Sequence, residues 1–343
     1  MSEKKNVIHV GIDLGTSRSA VSASNGQRHI IDSYVGWPVD MVARKILKRP
    51  VLVGREALDN RPMLDLHRPL ERGLLKEGSE KDQEAVRQLL AHLLELAGVG
   101  ESARGNAQVR AVVGVPAEAL RVNKQQLRTA FSGLVDALLI VTEPFAVAYG
   151  IEALLHAMVI DIGAGTTDLC VMNGRYPTED DQRTLLNAGD WVDEQLARLI
   201  AARYPEASIS PYMVREWKER YSFVGEPHGS VVVSAPVKGK PTELDITDAI
   251  RAACEGLVPP IAETMLDLIA RVEPEYQEKV RHNVVLAGGS SAIRGLDVAL
   301  SALLQEVGGG VVRTVEDPMF AGADGGLAIA IDAPDGDWEK LVA

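Results

Sequence analysis

The sequence predicts an α/β chain of two related lobes, each built from strands and helices and each carrying a small insertion. Three observations support this. The chain has 343 residues, a length that fits two domains of about 150 residues better than one or three. Its 46% apolar and 24% charged residues are the balance of a globular protein. The third observation is an internal echo, in which an apolar strand ends in Asp and enters a Gly/Thr/Ser turn. It occurs as Gly11-Ile12-Asp13-Leu14-Gly15-Thr16-Ser17 and again as Val159-Ile160-Asp161-Ile162-Gly163-Ala164-Gly165-Thr166-Thr167.

Taken in order, Val7 to Ala23 reads as strand, glycine turn, strand. Asp32 to Leu75 is weakly periodic and holds Pro38, Pro50, Pro62 and Pro69, so it reads as a small insertion on a larger scaffold. Lys81 to Leu96 places Val86, Leu89, Leu90, Leu93, Leu94 and Leu96 at helical spacing. Val109 to Val115 is a buried-type strand, and Ala117 to Ser132 after Pro116 is a helix. Leu138 to Thr142 is a strand, followed by a helical piece from Glu143-Pro144 through Ala153. Met158 to Asp161 and Asp168 to Met172 repeat the opening hairpin. Near the end, Val284 to Ala287 is a strand, Gly288-Gly289-Ser290-Ser291 a third glycine turn, and Ala292 to Leu304 a helix. The domain boundaries expected are 1–150 for lobe I, with its insertion at about 32–75 and a C-terminal helix at about 322–343 returning to it. Lobe II is expected at 151–321, with an insertion at about 190–250.

The repeated turn has a chemistry of its own. A strand entering a Gly/Thr/Ser hairpin presents backbone N–H groups and hydroxyls that can surround a phosphate. An Asp beside such an anion site is unfavourable unless a divalent cation lies between them. Asp13 and Asp161 are therefore candidates to hold Mg²⁺ through its waters, since Mg²⁺ dehydrates reluctantly and favours carboxylate and phosphate oxygens. One such turn alone is more often an ordinary β-hairpin; two copies, one heading each half, favour a polyphosphate gripped from both lobes. Neither is a GxxxxGK[ST] loop or a GxGxxG fingerprint, because the flanks read as strands and not as a helix. The Gly288-Gly289 turn lets a flat ring approach the backbone and is a candidate base-binding turn, although by itself it is also common strand-to-helix packing.

Charge and composition limit the partners. Lys plus Arg is 36 and Asp plus Glu 48, a net charge of −12, which argues against nucleic acid or an anionic membrane as the main partner. Cys170 and Cys254 make neither a disulfide framework nor a zinc spacing. Met1 to Asn6 is polar and no uncharged apolar run of membrane-spanning length occurs, so the expectation is a cytoplasmic protein with no direct membrane insertion. The seven histidines are scattered and form no metal or nucleophile site.

Five stretches, Gly11 to Ser24, Val141 to Gly150, Met158 to Met172, Asn283 to Leu296 and Asp317 to Ala330, resemble the ordered first phosphate, first connection, second phosphate, adenosine and second connection motifs of the actin and heat-shock-chaperone ATPase superfamily. Within it the chain resembles the bacterial actin family, in particular its magnetosome-filament branch. The stretches behind this are Val35 to Pro38, Leu64 to Leu70, Asp161 to Cys170, Ala188 to Asp190 and Phe223 to Pro227. The resemblance implies a two-lobed actin-like ATPase fold with ATP and Mg²⁺ in a cleft between the lobes. It gives Asp13 a place near the metal, with Gly15, Thr16 and Ser17 on the phosphates and Arg18 where conventional actins carry a lysine. It implies that Asp161 lies close to the metal and the attacking water, with Gly163, Ala164, Gly165, Thr166 and Thr167 around the β- and γ-phosphates. Glu143 is implied to orient or deprotonate that water, which requires placement more than a shifted pKa; without the resemblance it is a helix-start carboxylate before Pro144. Arg215, Lys218 and Glu219 are implied to reach the nucleotide, Lys218 and Glu219 at ribose or base; without it they are a solvated helix face. Gly288, Gly289 and Ser290 are implied to receive the adenosine.

The function implied is a filament-forming ATPase that polymerises head to tail, serves as cytoskeleton, and positions organelles of the magnetosome type through cargo or adaptor proteins. Contacts that do not close generate open filaments, and hydrolysis would act as a timer through differential affinity for two lobe arrangements. The insertions are where polymer contacts are expected. The alternative is a non-polymerising ATPase acting as a small-molecule kinase or regulatory adaptor. The chain is too short for the chaperone's separate substrate domain, and no residue set marks a sugar pocket.

Overall fold

The computed structural model describes residues 6–76, 79–100, 107–119 and 121–340. The chain divides into two compact units, Met1–Leu154 with Met319–Ala343, and Leu155–Pro318. The expected polar start at Met1 to Asn6 lies, apart from Asn6, outside the described residues.

The first unit opens with β1 (Asn6–Leu14), β2 (Arg18–Ala23) and β3 (Arg28–Asp32). Its insertion follows as β4 (Val35–Pro38), α1 (Met41–Leu47), β5 (Leu52–Val53), α2 (Arg55–Asp59), β6 (Leu64–His67), β7 (Leu70–Glu71) and β8 (Leu74–Leu75). Next come α3 (Glu80–Leu96), β9 (Ala107–Val115), α4 (Arg121–Phe131), β10 (Ala137–Thr142) and α5 (Glu143–Gly150). The second unit holds β11 (Leu155–Ile162), β12 (Thr167–Asn173), β13 (Gln182–Leu185), α6 (Gly189–Arg203), α7 (Pro211–Tyr221), β14 (Val232–Val237) and β15 (Lys240–Asp245). It ends with α8 (Thr247–Glu255), α9 (Val258–Ala270), α10 (Pro274–Arg281), β16 (Val284–Ala287), α11 (Leu296–Glu306) and β17 (Val312–Thr314). The chain then returns to the first unit as α12 (Ala321–Asp332) and β18 (Glu339–Lys340).

The echo in the sequence is an echo in the sheets. One sheet runs β18-β10-β9-β1-β2-β3 and the other β13-β12-β11-β16-β17. In each, an antiparallel three-strand meander (β1-β2-β3, β11-β12-β13) is extended by two parallel strands. Asp13 and Asp161 are each the last residue but one of the first strand, paired with Ala20 and Asp168. Each unit has its own apolar core.

Local chemistry fixes the helices. Ser79 and Asp82 form a reciprocal capping box at the start of α3, and Val86, Leu89, Leu90, Leu93 and Leu94 bury one face of it. Helix α12 is different: its first half is Ala321-Gly322-Ala323-Asp324-Gly325-Gly326, and these small residues let its backbone lie directly on its neighbours. A Cβ at Gly325 would collide with the Ala146 carbonyl in α5, and one at Gly11 with the Ala323 carbonyl. Asp324 ties the helix to the hairpin by accepting from Ser22 Oγ at 2.5 Å and pairing with Arg28 at 2.6 Å.

Three expected helices end or begin elsewhere. The stretch after Pro116 first makes a turn, Ala119 N–H donating to the Pro116 carbonyl, and α4 is described only from Arg121. The segment after Gly289 is a 3-10 turn to Ala292; Gly295, at φ 79°, takes the left-handed conformation, and the helix starts at Leu296. The expected helix at 322–343 stops at Asp332, because Ala333 precedes Pro334 and is held extended. Past Pro334 the chain makes a 3-10 turn and the short β18 on the edge of β10, while 341–343 lie outside the described residues.

The α12 contact gives a direct test. Gly325→Ala should cost more than about 2 kcal/mol because backbone, not a yielding side-chain tip, stands in the way. Gly336→Ala, where an added Cβ meets nothing within 4 Å, should stay within about 0.5 kcal/mol. Urea unfolding of the two variants beside the parent chain measures the difference.

Candidate functional site

The first hairpin turn is anchored through its carbonyls. Gly15 O accepts Ser33 Oγ at 2.7 Å, and Thr16 O accepts Arg68 Nε at 2.7 Å. A trans peptide is planar, with its C=O and the next N–H pointing opposite ways. The N–H groups of Thr16 and Ser17 are therefore turned away from these donors. Thr16 is buried, and its hydroxyl accepts the Gly73 N–H at 2.7 Å, fastening the β7–β8 turn to the hairpin. Arg18 faces Asp32 across the β2–β3 ladder, with Nε 3.6 Å from Oδ1.

The second turn repeats the arrangement with different donors. Gly163 O accepts Gly189 N–H at 3.1 Å and Ser290 Oγ at 2.9 Å, and Ala164 O accepts Asp190 N–H at 2.7 Å. By the same planarity the N–H groups of Ala164 and Gly165 face away from α6. The turn closes through Gly163 N–H to Thr166 O at 2.9 Å. Thr167 is fully buried and donates its hydroxyl to Asn187 O at 2.7 Å. Its side chain thus braces the hairpin from inside.

The two aspartates sit in space kept by glycine. A Cβ on Gly322 would come 2.8 Å from Asp13 Oδ2, and one on Gly288, which is held at φ 76°, would collide with Asp161 Oδ1. Asp13 is half-buried by surface area, but protein surrounds its carboxyl, and this burial raises its pKa from 3.8 to about 6. Asp161 is buried. Among the described residues no group of three or more His, Cys, Asp or Glu could hold a metal ion by itself. A cation beside either carboxylate would complete its shell with water and phosphate oxygens, the habit of Mg²⁺, so each aspartate with its turn fits a metal-bound polyphosphate.

Glu143 is the first residue of α5, followed by Pro144, with Thr142 at the cap position. Gly114, near the end of β9, makes room for it: a Cβ there would lie 3.0 Å from Glu143 Cγ.

The cations of α7 divide. Lys218 is buried; its Nζ donates to Gly189 O at 2.7 Å and lies 2.9 Å from Asp193 Oδ1, an ion pair and not an aligned hydrogen bond. Arg215 lies 3.5 Å from Asp190 and 3.6 Å from Asp193. Burial holds Asp193's carboxyl above its ordinary range against the pull of Lys218 and Arg215. Glu219 instead lines a cavity of about 400 Å³ with Ser222, His228, Ala292 and Arg294. The structure thus gathers Asp161, the Gly163 turn, the Gly288 turn, Arg215 and Lys218 through direct contacts within one unit, with Glu219 and Ala292 on a shared cavity. Sequence reasoning did not find Asp193 or the anchoring donors Ser33 and Arg68. Only Ala188-Gly189-Asp190, singled out as a family stretch, marked the start of α6.

The MreB/Mbl protein family model matches residues 7–335. The chain is 41% identical over 339 residues to the actin-like protein MamK of Paramagnetospirillum magneticum, covering 99% of this chain and 96% of that protein. It is 26% identical to the cell shape-determining protein MreB of Pasteurella multocida, covering 92% and 91%. Among solved structures it is similar to a MamK double helical filament, with a TM-score of 0.92 and 41% identity over 96% of this chain and 100% of that one. It is also similar to a non-polymerising MamK mutant bound to AMPPNP, with a TM-score of 0.72 at the same identity and coverage.

The raised pKa of Asp13 makes a signed prediction. The folded chain keeps a proton on this carboxyl that the unfolded chain releases from pH 3.8 upward. The Asp13 contribution to stability is therefore lost as pH rises through about 6. Asp13→Asn should stabilise the nucleotide-free chain by on the order of 1–3 kcal/mol at pH 7.5 and by much less at pH 4.5. Urea unfolding in EDTA at the two pH values measures the gap; an equal gap at both would contradict it.

Proposed function

The chain belongs to the MreB/Mbl family of actin-like proteins, and from that premise we propose that it binds and hydrolyses ATP and polymerises head to tail into filaments. The observation that carries the reading is the pair of aspartate–glycine hairpins. They occupy the same strand position in two sheets of the same order, and in each the turn carbonyls are anchored from behind. The 41% identity to MamK, a protein with a filament structure and an AMPPNP-bound mutant structure, supports the same assignment.

In this mechanism the outward N–H groups of Thr16, Ser17, Ala164 and Gly165 bind phosphate oxygens, which costs no reorganisation because the carbonyls are already fixed. Asp13 and Asp161 are the residues that would hold Mg²⁺, which when bound would offset the phosphate charge. Glu143 orients the attacking water and accepts its proton. Glu219 and the Gly288–Ser290 turn take the ribose and base side. Hydrolysis then alters the affinity between protomers. Residues 190–250 remain a candidate for polymer contacts alongside the insertion of the first unit.

That first insertion has a surface suited to a protomer. In and beside α1, Val39, Met41, Val42 and Ile46 are exposed at 55, 81, 61 and 60%, flanked by Arg44, Lys45, Lys48 and Arg49 on a chain of net charge −12. Such a cluster fits an acidic protein surface bearing apolar side chains, and a second copy of this chain is acidic overall. No described helix is long and apolar enough to cross a membrane. The filament is proposed to run in the cytoplasm, alongside magnetosome-type organelles and held to them by adaptor proteins.

Sedimentation and phosphate release with and without ATP and Mg²⁺ test the proposal. ATP-dependent pelleting above a critical concentration is expected; an ATPase that stays monodisperse would return the kinase or adaptor alternative. Glu143→Ala should retain nucleotide and polymer while phosphate release slows by about a hundredfold or more. Met41→Asp with Ile46→Asp should raise the critical concentration at least about tenfold, some 1.4 kcal/mol per contact, with ATP affinity unchanged.

A further inference from the structure

The family resemblance sends Lys218 to the ribose or base. Its amine goes elsewhere. Nζ donates to Gly189 O at 2.7 Å and pairs with Asp193 at 2.9 Å, and the residue is 8% exposed. Gly189 is the first residue of α6, whose cap position is held by Ala188 with no side-chain hydrogen bond. The first N–H groups of a helix need acceptors from outside it, and here the second hairpin turn supplies them: Gly163 O takes Gly189 N–H and Ala164 O takes Asp190 N–H. The turn caps the helix, and the helix start sets the direction of the turn's peptide planes.

We propose that Lys218, held by Asp193, is a positioning residue for the second phosphate turn, acting through the first residue of α6 and not by touching the nucleotide. The inference rests on the proposed binding of ATP.

Gly189 is the link. A side chain there would meet Ser290 Oγ at 2.7 Å and the backbone of Gly163 and Ala164 at 3.2 Å, so glycine suits this close backbone approach. Glycine is also the residue whose backbone is least restrained by itself. Lys218 grips its carbonyl while its N–H grips Gly163, so the same residue is fixed on both sides of its Cα. The cluster extends across the helix start. Asp190 donates its N–H to Ala164 O while its carboxylate faces Arg215, and Arg215 also reaches Asp193. Asp193 therefore holds both α7 cations and keeps the Lys218 amine aimed at Gly189. If the grip is lost, the helix start can shift relative to the turn. A rotation of either peptide plane swings the Ala164 or Gly165 N–H away from the phosphate by the same angle.

Direct contact and positioning give different kinetics. A lysine that touched ribose or base would contribute equally to ATP, ADP and the transition state; its loss would raise KM and leave kcat alone. A lysine that orients the turn acts where charge develops on the terminal phosphate. Lys218→Met, which keeps the length and removes the donor, should lower kcat for ATP hydrolysis about ten- to a hundredfold, the usual cost of losing a group that orients an active one. ADP affinity should stay within about threefold, and the preference for ATP over ADP should shrink. Asp193→Asn, which leaves the amine but loosens its aim, should move kcat the same way by less, and it decides the matter if Lys218→Met does not fold. Ser290→Ala, removing the second donor on Gly163 O, should lower kcat in the same direction. Equal losses of ATP and ADP affinity with kcat intact, or parental kinetics in the foldable variants, would overturn the inference. If the parent chain neither binds nor hydrolyses ATP, it is the ATPase reading that fails.

Discussion

The arrangement depends on one constraint: the carbonyls of two glycine turns are tied down from behind. A peptide that commits its C=O to a donor on one side commits the following N–H to the other. Both hairpins use this constraint with different donors. A serine hydroxyl and an arginine serve the first turn, and the start of a helix with a second serine hydroxyl serves the other. The duplicated feature is therefore not a set of residues but an orientation. The strand–Asp–turn frame is common to both copies, while the anchors differ because each turn packs against different neighbours.

Holding backbone in this way needs backbone to approach backbone, and the small residues lie where it does. Gly288 stands against Asp161, Gly189 against Ser290 and Gly163, Gly322 against Asp13, and Gly325 against α5. Each removes a side chain that would otherwise occupy the space of a carboxylate or a carbonyl. The cost is a looser unfolded chain. It is offset by the apolar cores of the two units and by polar fasteners such as Asp324 to Ser22 and Arg28.

What was legible in the sequence was what is local. The strand, aspartate and turn are contiguous in sequence, so their repetition could be read directly, and it led to the α/β fold that the two sheets display. Helix α3 was legible for the same reason: its apolar spacing lies within one stretch. The helix start at Leu296 was not, because Ala292 and Ile293, after the glycine turn, fit a helix equally well until Gly295 breaks it. The end of α12 could have been read from Pro334, since proline biases the residue before it away from helix. Asp193 was out of reach, because nothing in a polar helix face tells which of its carboxylates will be covered by the next helix. The same applies to Lys218, whose amine turns toward Gly189 once α7 is laid on α6.

The cations near the turns bear on how an acidic chain holds a polyphosphate. Arg18 faces Asp32, Arg68 is committed to Thr16 O, Lys218 to Gly189 O and Asp193, and Arg215 to Asp190 and Asp193. With these charges engaged in the protein, the proposed ATP site would draw much of its attraction for phosphate from oriented N–H dipoles and from a cation beside each aspartate. Dipoles of that kind act only over a short distance and in a fixed direction. At either turn a bare anion would meet a carboxylate that opposes it, Asp13 or Asp161, and Asp13 already resists ionisation, with its pKa raised to about 6. On the proposed reading, a polyphosphate arriving with a divalent ion would turn each of those carboxylates from an obstacle into a partner of the ion's bound waters. If the chain binds ATP as proposed, selectivity for the metal complex over free phosphate would follow from where the charges are already committed.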